Sequence, residues 1–437
     1  MDIAIIGAGS HFTLHLLRAL YQAAPRDDSY HLRFMDIQRE PLDALDHLIP
    51  RLNRVTGRSV RHSCHRDRAA ALDGADHVLV SFAVDFPASF LRTCWVMHDH
   101  GIRFVEGETA TPGALMATLR HLPPLVDITR EIQHSTDGAW LHIINNPMPR
   151  LIQGVMRATG YTHVVGHCHG TIETRQRIAD LTDTSAEEID LFVAGINHFH
   201  VVQRAVDLRD GTDLLQTIAQ LPAARAEQWE RDDFTQWLLF RELGHVLGCG
   251  NWHNFDYVPY SNQRLFRHAD YNTWERYCLA VQARRQVGAE GEVGSHLVDD
   301  SAVRMFMDGH EREQMFAIMQ ALSGEAPSYM YLSGNMPNEG HISDLPNGAV
   351  VELPATVTPS GVALRHSAAP LPAFFASWVR QQLAVHDLSV RAALNRSRRA
   401  AIEAVASDPS FRDCDCGPGQ LLDEMLVTNA GLVPALE

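Results

Sequence analysis

Short apolar runs alternate with stretches of helical spacing through the first 190 residues of the chain. Residues 2–6 form a continuous apolar run, and Phe12–Ala23 repeats apolar residues at helical intervals. Further apolar runs follow at 32–35, 77–82 and 141–144. Such runs, separated by amphipathic helices, are typical of parallel strands buried on both faces. The pattern predicts an α/β fold with a parallel sheet, and polar loops at the carboxyl ends of its strands.

The pattern changes near residue 190. Residues 188–194 and 200–206 have the composition of strands on either side of a turn at 195–198. Helical spacing then dominates three stretches, at 221–247, 272–285 and 310–322. A strand signal returns near 349–354, and helices close the chain from about residue 372. The pattern of the second half therefore predicts a mixed α+β domain.

Composition narrows the class of protein. The chain has 437 residues, with 53 acidic and 37 basic side chains and a formal net charge of −16. This charge disfavours nucleic acid or an anionic membrane as a partner. No apolar run approaches the length of a membrane span, and the first residues enter a strand without a basic leader region. We therefore expect a cytoplasmic protein, with its seven cysteines reduced.

A glycine-rich turn follows the first strand. Gly7, Gly9 and Ser10 allow backbone N–H groups to approach a pyrophosphate at a helix N-terminus, although Phe12 stands where a third glycine is usual. Asp36 ends the second strand, where an acid binds the adenosine ribose of NAD and disfavours NADP. The sequence predicts a dinucleotide site, with a glycine turn in a nucleotide-free domain as the alternative.

Cys168 and His198 each follow an apolar run at a chain turn. A thiolate and a neutral imidazole are good ligands for borderline metals, and two protein ligands leave positions open for substrate. A buried apolar cysteine and a hydrogen-bonded histidine are the structural alternatives. Three further histidines are candidates, so inspection leaves the ligand set open: His167, His169 and His200.

Several motifs together resemble glycoside hydrolase family 4. They are Gly-Ala-Gly-Ser at 7–10, Asn-Pro at 146–147, Cys-His-Gly at 168–170, Gly-Ile-Asn-His at 195–198, His-Asn-Phe-Asp-Tyr-Val-Pro at 253–259, and the segments 338–346 and 351–354. The matches run in order over nearly the whole chain. The resemblance implies an NAD-binding Rossmann-like domain at 1–190 and a domain for substrate, metal and oligomerisation at 191–437.

The resemblance also implies an NAD- and divalent-metal-dependent glycosidase, usually with manganese. In this family NAD⁺ takes hydride from C3 of the sugar, a base takes the C2 proton, and the C1 substituent is eliminated. Water then adds and the hydride returns, which sets the family apart from glycosidases with two catalytic carboxylates. Cys168 and His198 would hold the metal against the C2 and C3 oxygens.

Roles for other residues follow from the same resemblance. Tyr257 matches the position of the base, and His169 would contact the sugar or the leaving group. Asn146 would bind the substrate or the nicotinamide ribose, and Asn197 the substrate. Arg120 lies near the substrate or forms an ion pair within its helix.

The residue after Cys168 indicates the substrate class. Members acting on 6-phosphoglycosides carry Asp or Asn there, whereas this chain has His169. We expect an unphosphorylated α-galactoside, α-glucoside or α-uronide, and a homodimer or homotetramer. Thr111 and Ala114 replace family glycines, and Asp256 replaces a glutamate, which indicates a shifted substrate.

Two other classes of protein compete with this interpretation. An NAD-dependent dehydrogenase of the lactate/malate type, acting on a small hydroxy acid or sugar, would share the nucleotide fold but have no use for Cys168. A non-catalytic nucleotide-binding protein would need none of Cys168, His198 and Tyr257.

Overall fold

The computed structural model describes residues 1–23, 29–258, 273–286, 293–294, 296–297, 299–309 and 314–437. Pro259 of the motif at 253–259, and residues 310–313 of one predicted helix, lie outside this set.

The described residues form one mixed sheet of twelve strands. They are β1 Asp2–Ile6, β2 His31–Met35, β3 Arg61–His65, β4 His77–Val80, β5 Trp140–Ile143, β6 Val164–Gly166, β7 Ile189–Ile196, β8 Phe199–Asp207, β9 Leu247–Gly248, β10 Tyr329–Pro337, β11 Val350–Thr358 and β12 Gly361–Leu364. Their order is β3-β2-β1-β4-β5-β6-β10-β11-β7-β8-β9, and β12 pairs with β11.

The first six strands are parallel and have the order of a dinucleotide-binding fold. Their carboxyl ends form one edge of the sheet, which carries the turn at 7–10 and the loops at 144–147 and 167–169. The prediction of a Rossmann-like parallel sheet is confirmed.

The second half extends the same sheet with antiparallel strands, which confirms the mixed α+β prediction. One line of register pairs runs from Gly166 through Asn335, Glu352 and Gly195 to His200. The loop after β6 and the turn after β7 therefore lie at the same level of the sheet. The domain boundary near residue 190 falls at the start of β7 and stays a prediction.

Helices cover the sheet. They are α1 Phe12–Ala23, α2 Arg39–Thr56, α3 Arg68–Leu72, α4 Ala88–Asp99, α5 Pro112–Ser135, α6 Met148–Thr159, α7 Gly170–Thr182, α8 Leu214–Ala219, α9 Ala223–Asp232, α10 Phe234–Leu243, α11 Asn251–Tyr257, α12 Thr273–Gln286, α13 Asp300–Met307, α14 Met315–Leu322, α15 Ala373–Asn395, α16 Arg398–Ser407 and α17 Pro418–Thr428. Short 3-10 turns lie at Ala186–Glu188 and Pro409–Asp413.

The C-terminal helices return to the first half of the chain. Helix α15 packs on α5 and α6, and α17 packs on α4. Leu119, Leu151 and Val405 consequently share one apolar core, although they come from both halves. Among the described residues, none of the helices combines the length and apolar character that a bilayer crossing requires.

Candidate active site

The glycine turn after β1 has the geometry that a dinucleotide site needs. Gly7 has φ +83°, and a Cβ on it would lie 2.8 Å from the backbone of Phe82. The N–H of Gly9 donates to Asp36 Oδ2 at 2.9 Å, and Ser10 Oγ accepts from the N–H of Phe12 at 3.3 Å. Asp36 therefore shapes the turn, and its contact with a ribose stays a prediction.

His198 occupies the tight turn between β7 and β8. Its φ of +134° is a conformation that L side chains rarely adopt, and its N–H donates to the carbonyl oxygen of Ile196 at 2.6 Å. The imidazole is buried, and its Nδ1 has no hydrogen-bond partner among the described residues. A strained backbone that holds an unpartnered buried donor or acceptor indicates a functional position.

Two further side chains converge on His198. One ligand atom from each of Glu106, His198 and His253 lies within 4.8 Å of the other two. Glu106 Oε2 is 2.9 Å from His253 Nδ1 and 3.9 Å from His198 Nδ1, and the two imidazole centroids are 3.9 Å apart. The sequence analysis missed Glu106 and His253 as candidate ligands. His253 stood in a quoted motif, but no periodicity or motif pointed to Glu106.

Helix α11 holds this cluster together. Its Asp256 accepts hydrogen bonds from three consecutive backbone N–H groups, at 2.7 Å from Val105, 3.0 Å from Glu106 and 2.8 Å from Gly107. Thr109 Oγ1 also donates to Glu106 Oε2 at 2.5 Å. One helix thus supplies His253 and, three residues later, the carboxylate that fixes the backbone of Glu106.

The charge states in the cluster suit a divalent cation. Burial opposes ionisation of Glu106, but the neighbouring His253 and His198 hold the pKa of its carboxyl well below the ordinary value. Burial, with His253 close by, lowers the pKa of His198 to about 4. At neutral pH the pair is therefore a carboxylate beside a neutral imidazole, and both have lone pairs available to a metal.

Cys168 lies in the loop after β6, outside the group formed by Glu106, His198 and His253. Its Sγ accepts from the N–H of Gly170 at 3.3 Å. The prediction that Cys168 and His198 bind one metal therefore stays a prediction.

Glu352 links the Cys168 loop to the His198 turn. Its Oε1 accepts from Thr171 Oγ1 at 2.7 Å and from Ser333 Oγ at 2.7 Å, and Asn197 Nδ2 donates to its Oε2 at 3.5 Å. Burial raises the pKa of this carboxyl, although these hydrogen bonds partly offset the effect. Glu352 lies within the motif at 351–354, which by itself indicated no role for this residue.

Tyr257 is buried beside the same turn. Its Oη donates to the carbonyl oxygen of Asn197 at 3.2 Å, and its ring stacks on Phe199 with centroids 5.2 Å apart. Burial raises the pKa of the phenol above its ordinary value. As a base, Tyr257 would therefore need a nearby positive charge to stabilise its phenolate.

The remaining predicted residues are in varied surroundings. Asn146 Oδ1 and Asn197 Oδ1 are buried and have no hydrogen-bond partner within the described part of the chain. Arg120 is buried in α5 and donates to Asn429 Oδ1 at 3.1 Å, so it is engaged by the C-terminal segment. His169 precedes α7, where its Nε2 lies 3.4 Å from Glu173 Oε1.

A second group of metal-ligand type lies near the surface. His100, Asp415 and Cys416 offer atoms within 4.8 Å of one another. His100 is already bound by two carboxylates, Asp415 Oδ1 and Glu424 Oε2, each at 2.8 Å. These ion pairs account for the arrangement.

The fold and site define a dinucleotide-type α/β protein with a buried cluster of one carboxylate and two imidazoles. The sequence model of the family 4 glycosyl hydrolases matches residues 2–184, and that of the family 4 glycosyl hydrolase C-terminal domain matches residues 193–411. The chain belongs to glycosyl hydrolase family 4, as the motifs predicted.

Two relatives resemble most of the chain. An α-glucosidase of Erwinia rhapontici is 27% identical over 392 residues, which cover 83% of each chain. An α-galactosidase of Bacillus subtilis (strain 168) is 24% identical over 425 residues, covering 93% of this chain and 92% of the relative.

A solved structure has the same fold. A 6-phospho-α-glucosidase from gut microorganisms, in complex with NAD and Mn²⁺, superposes with a TM-score of 0.79 at 19% identity. The superposition covers 100% of this chain and 99% of the other.

Proposed function

We propose that the protein is an NAD- and divalent-metal-dependent glycosidase that works by redox-assisted elimination and addition. The buried cluster of Glu106, His198 and His253 carries this proposal, because three ligand atoms lie within 4.8 Å of one another and His198 Nδ1 has no hydrogen-bond partner among the described residues. The chain is a member of family 4, and the same sheet also carries the glycine turn at 7–10, which is the predicted dinucleotide site.

The turn after β1 fits NAD. Gly7, Gly9 and Ser10 lead into α1, so their backbone N–H groups can receive a pyrophosphate at the helix N-terminus. Asp36 would bind the adenosine ribose, and Asn146 the nicotinamide ribose or the substrate. Bound NAD⁺ would supply a reversible hydride acceptor. The structural relative in complex with NAD and Mn²⁺ supports the same pairing of cofactors.

The His198 turn fits the metal. A neutral imidazole and a carboxylate suit Mn²⁺ and related divalent cations, and Cys168 remains a proposed further ligand. A bound cation would supply Lewis acidity toward the sugar oxygens. The same positive charge would favour the phenolate of Tyr257, which burial alone disfavours.

The chain's own residues would orient the sugar and move its proton. As a phenolate, after losing the proton that it donates to the carbonyl oxygen of Asn197, Tyr257 would take the C2 proton. Asn146 Oδ1 and Asn197 Oδ1 lack partners in the described residues, and each can accept from a sugar hydroxyl. His169 and Arg120 would contact the sugar or its leaving group.

The proposed substrate is an unphosphorylated α-glycoside. His169 follows Cys168 in place of the acidic or amide residue of phosphosugar enzymes, and two of the relatives are named α-glucosidase and α-galactosidase. The structural relative is a 6-phospho-α-glucosidase, so an assay should include phosphorylated and free sugars. A cytoplasmic homodimer or homotetramer acting on a small carbohydrate completes the proposal.

The test is turnover in deuterated water with NAD⁺, Mn²⁺ and thiol. Nitrophenyl α- and β-glycosides, uronides and 6-phosphoglycosides serve as the panel. Elimination through C2 predicts deuterium at C2 of the released sugar and no net NADH. Complete retention of the C2 hydrogen would exclude the elimination mechanism, and accumulation of NADH would favour a dehydrogenase.

A further inference from the structure

We propose that Glu106 and His253 bind the same divalent cation as His198, so that this chain has a site of two histidines and one carboxylate. The inference rests on the proposed function for its metal, and it extends the ligand set beyond the predicted pair of Cys168 and His198. It starts from distance: one ligand atom from each of the three residues lies within 4.8 Å of the others.

The chemistry of these donors fits a catalytic ion. Two imidazoles and one carboxylate on one side of a divalent metal leave its remaining positions open, as in iron sites with this ligand set. Open positions are what the two neighbouring oxygens of a sugar diol would need. A closed structural site would instead occupy all positions with protein atoms.

The arrangement is held by independent features of the fold. The His198 backbone has φ +134°, and its buried Nδ1 has no partner in the described residues. The backbone of Glu106 is fixed by Asp256, which accepts the three N–H groups of residues 105–107. An ion pair of Glu106 with His253 does not need the strained backbone of His198.

A simple buried ion pair is the competing explanation. Glu106 Oε2 and His253 Nδ1 are at hydrogen-bond distance, 2.9 Å apart, and such a pair could stabilise the loop without a metal. It would leave His198 Nδ1 unsatisfied at 3.9 Å from Glu106. A cation bound between the three residues would instead contact one ligand atom of each, including the otherwise unsatisfied Nδ1 of His198.

The experiment measures metal binding directly. Protein stripped with a chelator is titrated calorimetrically with Mn²⁺ in the presence of NAD⁺, for the wild type, Glu106→Gln and His253→Gln. The matched control is Asp207→Asn, which removes a carboxylate that pairs with Arg209 at the end of β8, outside the cluster. Circular dichroism and NAD⁺ affinity check that each variant is folded.

We expect Glu106→Gln and His253→Gln to weaken Mn²⁺ binding at least about 100-fold, because loss of an outer-sphere partner alone costs 10–100-fold. Asp207→Asn should change the affinity by less than about threefold, because Asp207 bonds Arg209 and no residue of the cluster. Electron spin-echo spectra of bound Mn²⁺ should show two imidazole nitrogens in the wild type and one in His253→Gln.

Opposite results would overturn the inference. These are Mn²⁺ affinities of both variants close to wild type, spin-echo spectra of the wild type with a single imidazole, or a wild type that binds no divalent cation. Glycoside turnover is scored separately. A wild type with two imidazoles on Mn²⁺ and no glycosidase activity would refute the proposed function and leave the ligand assignment standing.

Discussion

Gly7 and His198 both have positive φ angles, but for different reasons. Gly7 is a glycine because a side chain would collide with Phe82. At His198 an imidazole is retained in a conformation that costs on the order of 1–3 kcal/mol for a residue with a side chain. The first is a steric requirement of the nucleotide turn, and the second indicates that the imidazole itself is needed.

Substitution of Gly7 tests the steric requirement. Gly7→Ala should lower the free energy of unfolding by about 2–4 kcal/mol, because strain from the positive φ adds to the clash with Phe82. Calorimetric NAD⁺ affinity should fall more than about tenfold. Gly57→Ala is the control, since Gly57 has φ +67° and nothing within 4 Å of its Cβ. It should cost only about 1 kcal/mol in urea unfolding and leave NAD⁺ affinity unchanged. Equal losses for the two variants would contradict the steric argument.

The sequence pointed to some site residues and missed others for a physical reason. His198 and Cys168 follow buried strands, and a strand end is visible as the close of an apolar run. Glu106 lies in a loop between helices, and only tertiary contact with Asp256 brings it to the site. Local patterning carries no information about such a contact.

Helix α11 is a short element with three functions. Over seven residues it presents His253 to Glu106 and His198, Asp256 to the backbone of residues 105–107, and Tyr257 to the turn of Asn197. Because one element sets all three positions, a change in its anchoring should affect the site as a unit.

The Asp256→Asn substitution tests that anchoring. An amide can replace only part of the acceptor capacity, so at least one buried backbone N–H loses its partner at about 1–3 kcal/mol each. We expect the free energy of unfolding in urea to fall by about 2–5 kcal/mol. Asp213→Asn is the control, because Asp213 accepts from the N–H groups of Leu215 and Gln216 at the exposed start of α8. The free energy of unfolding of Asp213→Asn should fall by less than about 1 kcal/mol. A comparable loss in both variants would show that burial of the Asp256 contacts is unimportant.

A row of buried histidines runs from β4 through β5 to the loop that follows β6. His77 Nδ1 lies 2.9 Å from His142 Nε2, and His142 Nδ1 lies 2.8 Å from His167 Nε2. Burial lowers the pKa of His77 to about 4. The unfolded chain binds a proton at this residue below about pH 6.5, whereas the folded chain does so only near pH 4. Stability from this group is therefore present above pH 6.5 and is lost as the pH falls toward 4.

His77→Gln should flatten this pH dependence. Between pH 6.5 and 4 the wild type should lose up to about 3 kcal/mol of unfolding free energy through His77, and the variant should lose correspondingly less. Urea unfolding at several pH values measures the slope. His47→Gln, at an exposed position of α2, serves as the control and should keep the wild-type slope. Identical slopes for His77→Gln and wild type would remove His77 from the acid response.

Strand prediction succeeded where burial was two-sided and failed where polar residues interrupt a strand. Four strands were not predicted, β3, β9, β10 and β12; of these, β9 and β12 are only two and four residues long. Strand β3 is an edge strand with a polar sequence, Arg-His-Ser-Cys-His. Strand β10 contains Ser333, Gly334 and Asn335, which together have the composition of a turn. It is nevertheless a strand because Ser333 bonds Glu352 and a bulge absorbs the irregular register.

At the scale of the whole molecule, backbone pairing joins the two predicted halves. Strand β6 pairs with β10, β10 with β11, and β11 with β7, so the sheet continues across residue 190. The C-terminal helices also pack on α4, α5 and α6. We therefore expect the chain to unfold as one cooperative unit. Binding of NAD⁺ at the turn after β1 should then also stabilise strands of the second half, such as β8.

Hydrogen exchange tests this cooperativity. The slowest amides of β2, His31–Met35, and of β8, Phe199–Asp207, should report the same free energy of opening. NAD⁺ at about 100 times its Kd should raise both by about 2.7 kcal/mol, because a ligand that binds only the folded chain stabilises the whole cooperative unit. If residues 1–190 and 191–437 unfolded independently, NAD⁺ would slow exchange in β2 alone. Because the glycine turn follows β1 and the cluster of Glu106, His198 and His253 lies beside β7, shared protection would mean that unfolding of either half disassembles the combined site.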